Sequence, residues 1–178
     1  MSKIKIATVW LGGCSGCHMS FLDLDERLIE LSKLIEITAS PITDIKEIPE
    51  VDIGIVEGSV ANRENEENLI KLRNKSKILV AIGDCSCYGG ITALRNLFKK
   101  GDVLERAYID TESTLIGDIP RSSEIPQLRD KVRPIQEIVK VDAFIPGCPP
   151  DADAIYFALT ELLAGRIPVW PEEKLQYD

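Results

Sequence analysis

At 178 residues, with a net charge of −8 and a pI near 4.8, the chain has the size of one ordinary domain and no basic excess with which to neutralise a nucleic-acid backbone. Hydrophobic residues make up 44% and charged residues 28%, the balance of a soluble globular protein, and no run approaches the roughly 18 apolar residues of a membrane span. Nucleic-acid binding and membrane insertion are set aside on these grounds, and the acidic surface is read as a means of staying soluble.

The N-terminus, MSKIKIATVWLGG, alternates Lys3 and Lys5 with apolar residues as a strand does, and it shows neither an export signal nor a twin-arginine pair. This points to the reducing cytoplasm, where five cysteines suit metal or redox chemistry better than structural disulfides. A first strand is predicted over Ile4 to Leu11, followed by a glycine-rich break that holds Cys14-Ser-Gly-Cys17. His18 to Lys33 follows as a helix with Phe21, Leu24, Leu28 and Leu31 on one face, and Ile35 to Ala39 as a short strand. Val51 to Val56 is a buried strand that ends at Glu57, and Glu64 to Asn74 is a polar helix turning Leu69 and Leu72 inward. Ile78 to Ile82 is the next strand and leads into Cys85 and Cys87 within GDCSCYGG. Lys99 to Arg133, broken by Gly101, Gly117, Pro120 and Pro126, reads as an insertion. Ala143 to Pro146 forms a last strand before Gly147-Cys148-Pro149-Pro150. Asp151 then caps a helix that runs through Ile155, Leu159 and Leu162 to Gly165, and residues 166–178, with Trp170 among them, form an extended arm.

Strands alternating with helices predict an α/β fold: a doubly wound, mainly parallel sheet with helices on both faces, as a single domain over residues 1–178. In such sheets ligands bind beyond the carboxyl ends of the strands. Every cysteine follows a strand end, so three loops remote in sequence are expected to converge on one rim. None falls within a strand or on a helix face, where a free cysteine ordinarily packs as a small hydrophobe. Cys14, Cys17, Cys85 and Cys148 are therefore read as metal or cluster ligands. One CxxC pair plus two lone cysteines differs from the paired CxxC knuckles of structural zinc. Glycines at 12, 13, 16, 83, 89, 90 and 147 let backbone N–H groups approach sulfur, which favours one 4Fe-4S cluster. A thioredoxin-like dithiol would use Cys14 and Cys17 and leave the other three cysteines unexplained.

Taken in order, Trp10…Cys14-x-x-Cys17, Val56-Glu57-Gly58, Gly83-x-Cys85-x-x-x-Gly89-Gly90 and Gly147-Cys148-Pro149-Pro150 resemble the small subunit of nickel-iron hydrogenases, over residues 3 to about 165. The resemblance implies a flavodoxin-like sheet whose Cys14, Cys17, Cys85 and Cys148 hold the proximal 4Fe-4S cluster beside the nickel-iron centre of a separate large subunit. Because the sequence stops soon after the GCPP helix, one cluster is expected. The short, cytoplasmic form is similar to the small subunit of bidirectional NAD(P)-linked hydrogenases, in which diaphorase subunits with flavin and further iron-sulfur clusters exchange electrons with the nicotinamide. The expected role is thus that of an oxidoreductase subunit, a hydrogen dehydrogenase component that transfers electrons while the partner cleaves hydrogen. Coenzyme-F420-reducing hydrogenases and sulfhydrogenases also have compact small subunits, which leaves the acceptor open. The cluster subunit of complex I, which passes electrons to quinone, is related but carries an adjacent Cys-Cys pair; the spacing of Cys14 and Cys17 favours hydrogenase.

Cys87 falls where that pattern needs no ligand and reads as a spare thiol. Glu57, in the matching Val-Glu-Gly, is a candidate proton relay towards the large subunit. His18 is expected as a helix-start or interface residue, Trp10 as packing at the cluster edge or interface, and Pro149-Pro150 as the start of the last helix. Flavin mononucleotide on the same rim is disfavoured, because the first loop lacks a hydroxyl-rich phosphate cradle.

Overall fold

Residues 3–45 and 47–171 are described by a computed structural model. The elements in chain order are β1 (Ile4–Trp10), α1 (Gly16–Leu22), α2 (Glu26–Leu31), β2 (Ile35–Ala39), β3 (Val51–Glu57), β4 (Val60–Asn62), α3 (Arg63–Lys75), β5 (Ser76–Ile82), α4 (Asp84–Tyr88), α5 (Lys100–Tyr108), β6 (Leu128–Arg133), β7 (Ala143–Ile145) and α6 (Ala152–Leu163). Turns of 3-10 helix cover Gly90–Leu97 and Ile135–Glu137.

Five strands form one parallel sheet in the order β2-β1-β3-β5-β7, the doubly wound arrangement expected from the alternation of apolar runs. Successive residues of β5 are buried on opposite faces, Val80 and Ile82 on one and Leu79 and Ala81 on the other, so the strand reads as an unbroken apolar run. On the first face Ile6, Ile53, Ile55 and Val80 pack against Phe21 and Leu24 near α1, Leu31 of α2, and Ile155, Leu159 and Leu162 of α6. On the second, Ala7, Val56, Leu79 and Ala81 pack against Leu69 and Leu72 of α3 and Cys87 of α4. Helices therefore cover both faces.

The single helix expected from His18 to Lys33 is two. The chain turns at Asp23-Leu24-Asp25, where Asp25 has φ 51°, and α2 sets off anew from Glu26. The break still leaves Leu24 and Leu31 in the core. Residues 99–133 hold more order than an insertion: α5 opens the segment, and β6 closes it by pairing antiparallel with β4, Asn62 opposite Leu128 and Val60 opposite Arg133. The last helix is capped as expected, the Asp151 carboxylate accepting the Ala154 N–H at 2.6 Å. It begins at Ala152, however, so Pro149 and Pro150 precede it instead of opening it. The first part of the arm lies along the outer strand: the Trp170 indole donates to the Phe144 carbonyl at 2.9 Å and its ring packs on Phe157. Residues 172–178 of the expected arm lie outside the described residues.

Candidate metal centre

Three segments leave the carboxyl edge of the sheet beyond β1, β5 and β7, which lie within a run of four consecutive strands, β1-β3-β5-β7. The first loop, after β1, is moored to the end of β3: Leu11 N–H donates to Glu57 O at 2.8 Å, and Gly12 and Ser59 exchange backbone bonds of 2.9 Å each. It presents Cys14, exposed, and Cys17, buried in the first turn of α1. Cys85, half-buried, lies in the first turn of α4, and Cys148, exposed, follows β7. The last two segments are latched by Asp84, whose N–H donates to Gly147 O at 2.9 Å while its carboxylate accepts the Gly147 N–H at 2.8 Å. Ser20 of α1 adds a bond from its hydroxyl to Pro150 O. Cys17, Cys85 and Cys87 thus sit on short helices, not on loops as expected; each helix starts directly beyond a strand end and keeps its cysteines on the rim.

Two glycines give the thiols room. Gly83, at φ 81°, passes so near Cys17 that a Cβ there would stand 2.2 Å from the sulfur. A Cβ on Gly90, at φ 50°, would come within 2.9 Å of the Cys85 sulfur and backbone. The thiols also feel one another. Burial, then the charge of Glu57, then those of Cys14, Cys85 and Cys148, push the Cys17 thiol far above its ordinary range. Burial and the charges of Cys85, Asp84 and Cys14 push Cys148 up as well. Thiols that oppose each other's ionisation form a donor set that a cationic group relieves, and soft sulfur suits iron or zinc. Among the described residues no three His, Cys, Asp or Glu side chains are placed to hold a single metal ion. Four soft sulfur donors drawn from separate elements are the chemistry of an iron-sulfur group.

Behind Cys17 runs a buried polar chain. Glu57, 2% exposed, accepts the N–H of Cys17 at 3.3 Å, the N–H of His18 at 2.9 Å and a contact from the His18 ring Nδ1. Burial opposes its charge, but the His18 ring and amide bonds outweigh this and hold the carboxyl below its ordinary value. The other ring nitrogen, Nε2, lies 2.9 Å from Thr8 Oγ1, which donates to Ser40 Oγ at 3.1 Å. His18 is thus a helix-start residue, as expected, lying in the first turn of α1 and only 6% exposed; Trp10, 44% exposed, covers it edge-on at 5.6 Å between ring centroids. Thr8, Ser40 and Asp84 are the site residues that sequence reasoning missed, whereas Gly83 lies beside sulfur as expected. Asp84 alone carried a signal, as an acid placed directly before a candidate ligand.

Cys87 points away from this set into the second core face, beside Leu79, Ala81 and Ile135. Its thiol donates to Ala81 O at 3.7 Å and is pushed up to about 12 by burial, with the charge of Asp84 adding to it. Cys14 and Cys148 are exposed, and α1, α4 and the turn after α4 expose Met19, Tyr88, Ile91 and Leu94.

Residues 14–162 match the family described as NADH ubiquinone oxidoreductase, 20 Kd subunit. The chain is 45% identical to the NAD-reducing hydrogenase HoxS subunit delta of Cupriavidus necator, an alignment covering 99% of this chain and 86% of that protein. It is 44% identical to an F420-non-reducing hydrogenase component of Methanothermobacter thermautotrophicus, matching 97% of this chain and only 58% of that longer protein. A crystal structure of NAD+-reducing [NiFe]-hydrogenase in the H2-reduced state superposes with a TM-score of 0.96 at 44% identity, covering 99% of this chain and 100% of that one. A [NiFeSe]-hydrogenase of Dm. baculatum shares the fold at 19% identity, with a TM-score of 0.62 over 98% of this chain and 69% of its own.

Proposed function

From the premise that the chain belongs to the family of the NADH ubiquinone oxidoreductase 20 Kd subunit, and within it to the nickel-iron hydrogenase small subunits, we propose that it is the electron-transfer subunit of an NAD(P)-linked hydrogenase. The observation that carries this reading is the convergence of Cys14, Cys17, Cys85 and Cys148, from three separate segments, into one mutually interacting set. We assign these four as the ligands of one 4Fe-4S cluster, held by a single domain. Such a cluster, when bound, supplies reversible one-electron exchange.

The residues of the chain do the rest. The four thiolates hold the group, burial of Cys17 keeps water from one side of it, and Glu57 fixes the start of α1 through two amide bonds. Glu57 and His18 form the start of the proposed proton route. Met19 of α1, Tyr88 of α4 and Ile91 just after it are exposed on the same elements that carry, or directly follow, the thiols, and we assign that apolar surface to a large subunit that carries the nickel-iron centre. We assign diaphorase partners as well, a reading supported by the likeness to a relative named as NAD-reducing. A cytoplasmic setting suits five thiols that are all unpaired.

Anaerobic isolation of the chain with its natural partners tests the reading. Roughly four irons per chain, nickel in the co-purified partner and hydrogen-dependent reduction of both dyes and NAD(P) are expected. Cys85→Ala should lose most of that iron and Cys87→Ala should keep it. Dye reduction without nicotinamide reduction would overturn the diaphorase assignment, and quinone reduction by a complex lacking nickel would move the chain to the quinone branch of the family.

A further inference from the structure

A cavity of about 80 Å3 lies between α1 and the carboxyl ends of β1, β2, β3 and β5. Phe21, Leu22, Ile37, Ile42, Ile55 and Ile82 supply its apolar wall, and Cys17 is the one candidate ligand in its lining. Thr8, His18, Ser40 and Thr43 also touch it, but their polar atoms are engaged within the wall. The His18 ring is bonded at both nitrogens, to Glu57 and to Thr8. Thr8 Oγ1 donates to Ser40 Oγ, which accepts the Ile42 N–H at 3.2 Å, and Thr43 Oγ1 donates to Ser40 O at 3.2 Å. A buried water makes about three hydrogen bonds, whereas apolar cavities stay dry and take up xenon or benzene. At about 80 Å3 the space is several times the roughly 10–15 Å3 that one water probe needs, and about half of a cavity of roughly 150 Å3 that accepts such guests. Leu22, Ile37 and Ile42, 38%, 37% and 49% exposed, form its mouth.

We propose that this cavity binds a small uncharged apolar molecule of the dissolved-gas class, of the size of dioxygen, and is the route by which such a molecule reaches Cys17 from behind α1. The buried polar chain makes the site possible, because it consumes the hydrogen-bonding capacity that would otherwise fill the space with water. The mouth opens between α1, β2 and the segment that follows β2.

Xenon pressurisation of crystals of the intact complex tests the binding. Xenon density between Phe21, Ile37, Ile42 and Ile55 is expected; ordered water in that space, or xenon bound elsewhere and not here, overturns the proposal. Ile42→Trp, at the half-exposed mouth, should abolish the xenon density and slow the air bleaching of the visible absorbance severalfold, while Ile42→Ala should speed it. Unchanged bleaching in a variant that no longer binds xenon overturns the route. The bleaching arm rests on the cluster assigned under the proposed function and the xenon arm does not, so failure of one reading is distinguishable from failure of the other.

Discussion

Gly83 stands at φ 81° with its Cα so close to Cys17 that any side chain would displace the sulfur. An L-residue in that region costs roughly 1–2 kcal/mol in backbone strain alone, before the clash at 2.2 Å is counted. Gly83→Ala is therefore expected to lose most bound iron and to melt several degrees lower, since 1 kcal/mol corresponds to about 2–4 °C for a chain of this size. Iron content per chain and a thermal melt followed by circular dichroism check it. Gly101→Ala is the control: a Cβ there meets nothing within 4 Å, and helix α5 should gain slightly. The cysteines were legible in the sequence because each follows a strand end that itself reads clearly. The Glu57–His18–Thr8–Ser40 chain was not, since Thr8 and Ser40 look like ordinary strand-end hydroxyls until β1 and β2 pair and bring them to 3.1 Å.

Strands β3 and β5 were legible because both faces are buried over the apolar runs Ile53–Val56 and Ile78–Ile82, and β1 because lysines alternate with apolar residues at its start. The ribbon of β4 and β6 was not. Val60–Asn62 is three residues long, Leu128–Arg133 buries only Val132, and their pairing depends on chain more than sixty residues away. Between elements, Asp142 joins three at once: its carboxylate accepts the Leu79 N–H at 2.9 Å and Arg73 Nη1 at 2.6 Å, and its own N–H donates to Leu79 O at 2.9 Å. Burial raises its pKa, but the Leu79 amide and the Arg73 guanidinium outweigh that and hold it below the ordinary value of 3.8. A carboxyl depressed in the folded state adds stability above its unfolded pKa, and loses it as the pH falls through the lower folded value. Asp142→Asn should thus melt lower at neutral pH, by about 1 kcal/mol after allowance for partial solvent screening, and converge with the wild type below pH 3.8. Melting temperature against pH for the two proteins measures it.

For the molecule as a whole, Trp10, Met19, Tyr88, Ile91, Leu94, Leu97 and Phe98 are all between 44% and 76% exposed, on the rim and on the turn beside it. Water-exposed apolar surface of this extent is a liability in a free subunit with a pI near 4.8. The separated chain is expected to bind a hydrophobic fluorescent dye severalfold more than the assembled complex, and to precipitate most readily near its isoelectric point; equal dye binding by both would show that this surface is not the covered face. A last consequence follows from the position of β7 at the outer edge of the sheet. Cys148 lies 134 residues after Cys14 and joins the other thiols only when that final strand docks on β5. Three of the sulfurs can be in place before β7 docks, but the fourth cannot. A cluster that needs all four would therefore assemble last, on a sheet already closed at that edge, so loosening the β5–β7 pairing is expected to cost bound iron even with Cys14, Cys17 and Cys85 intact.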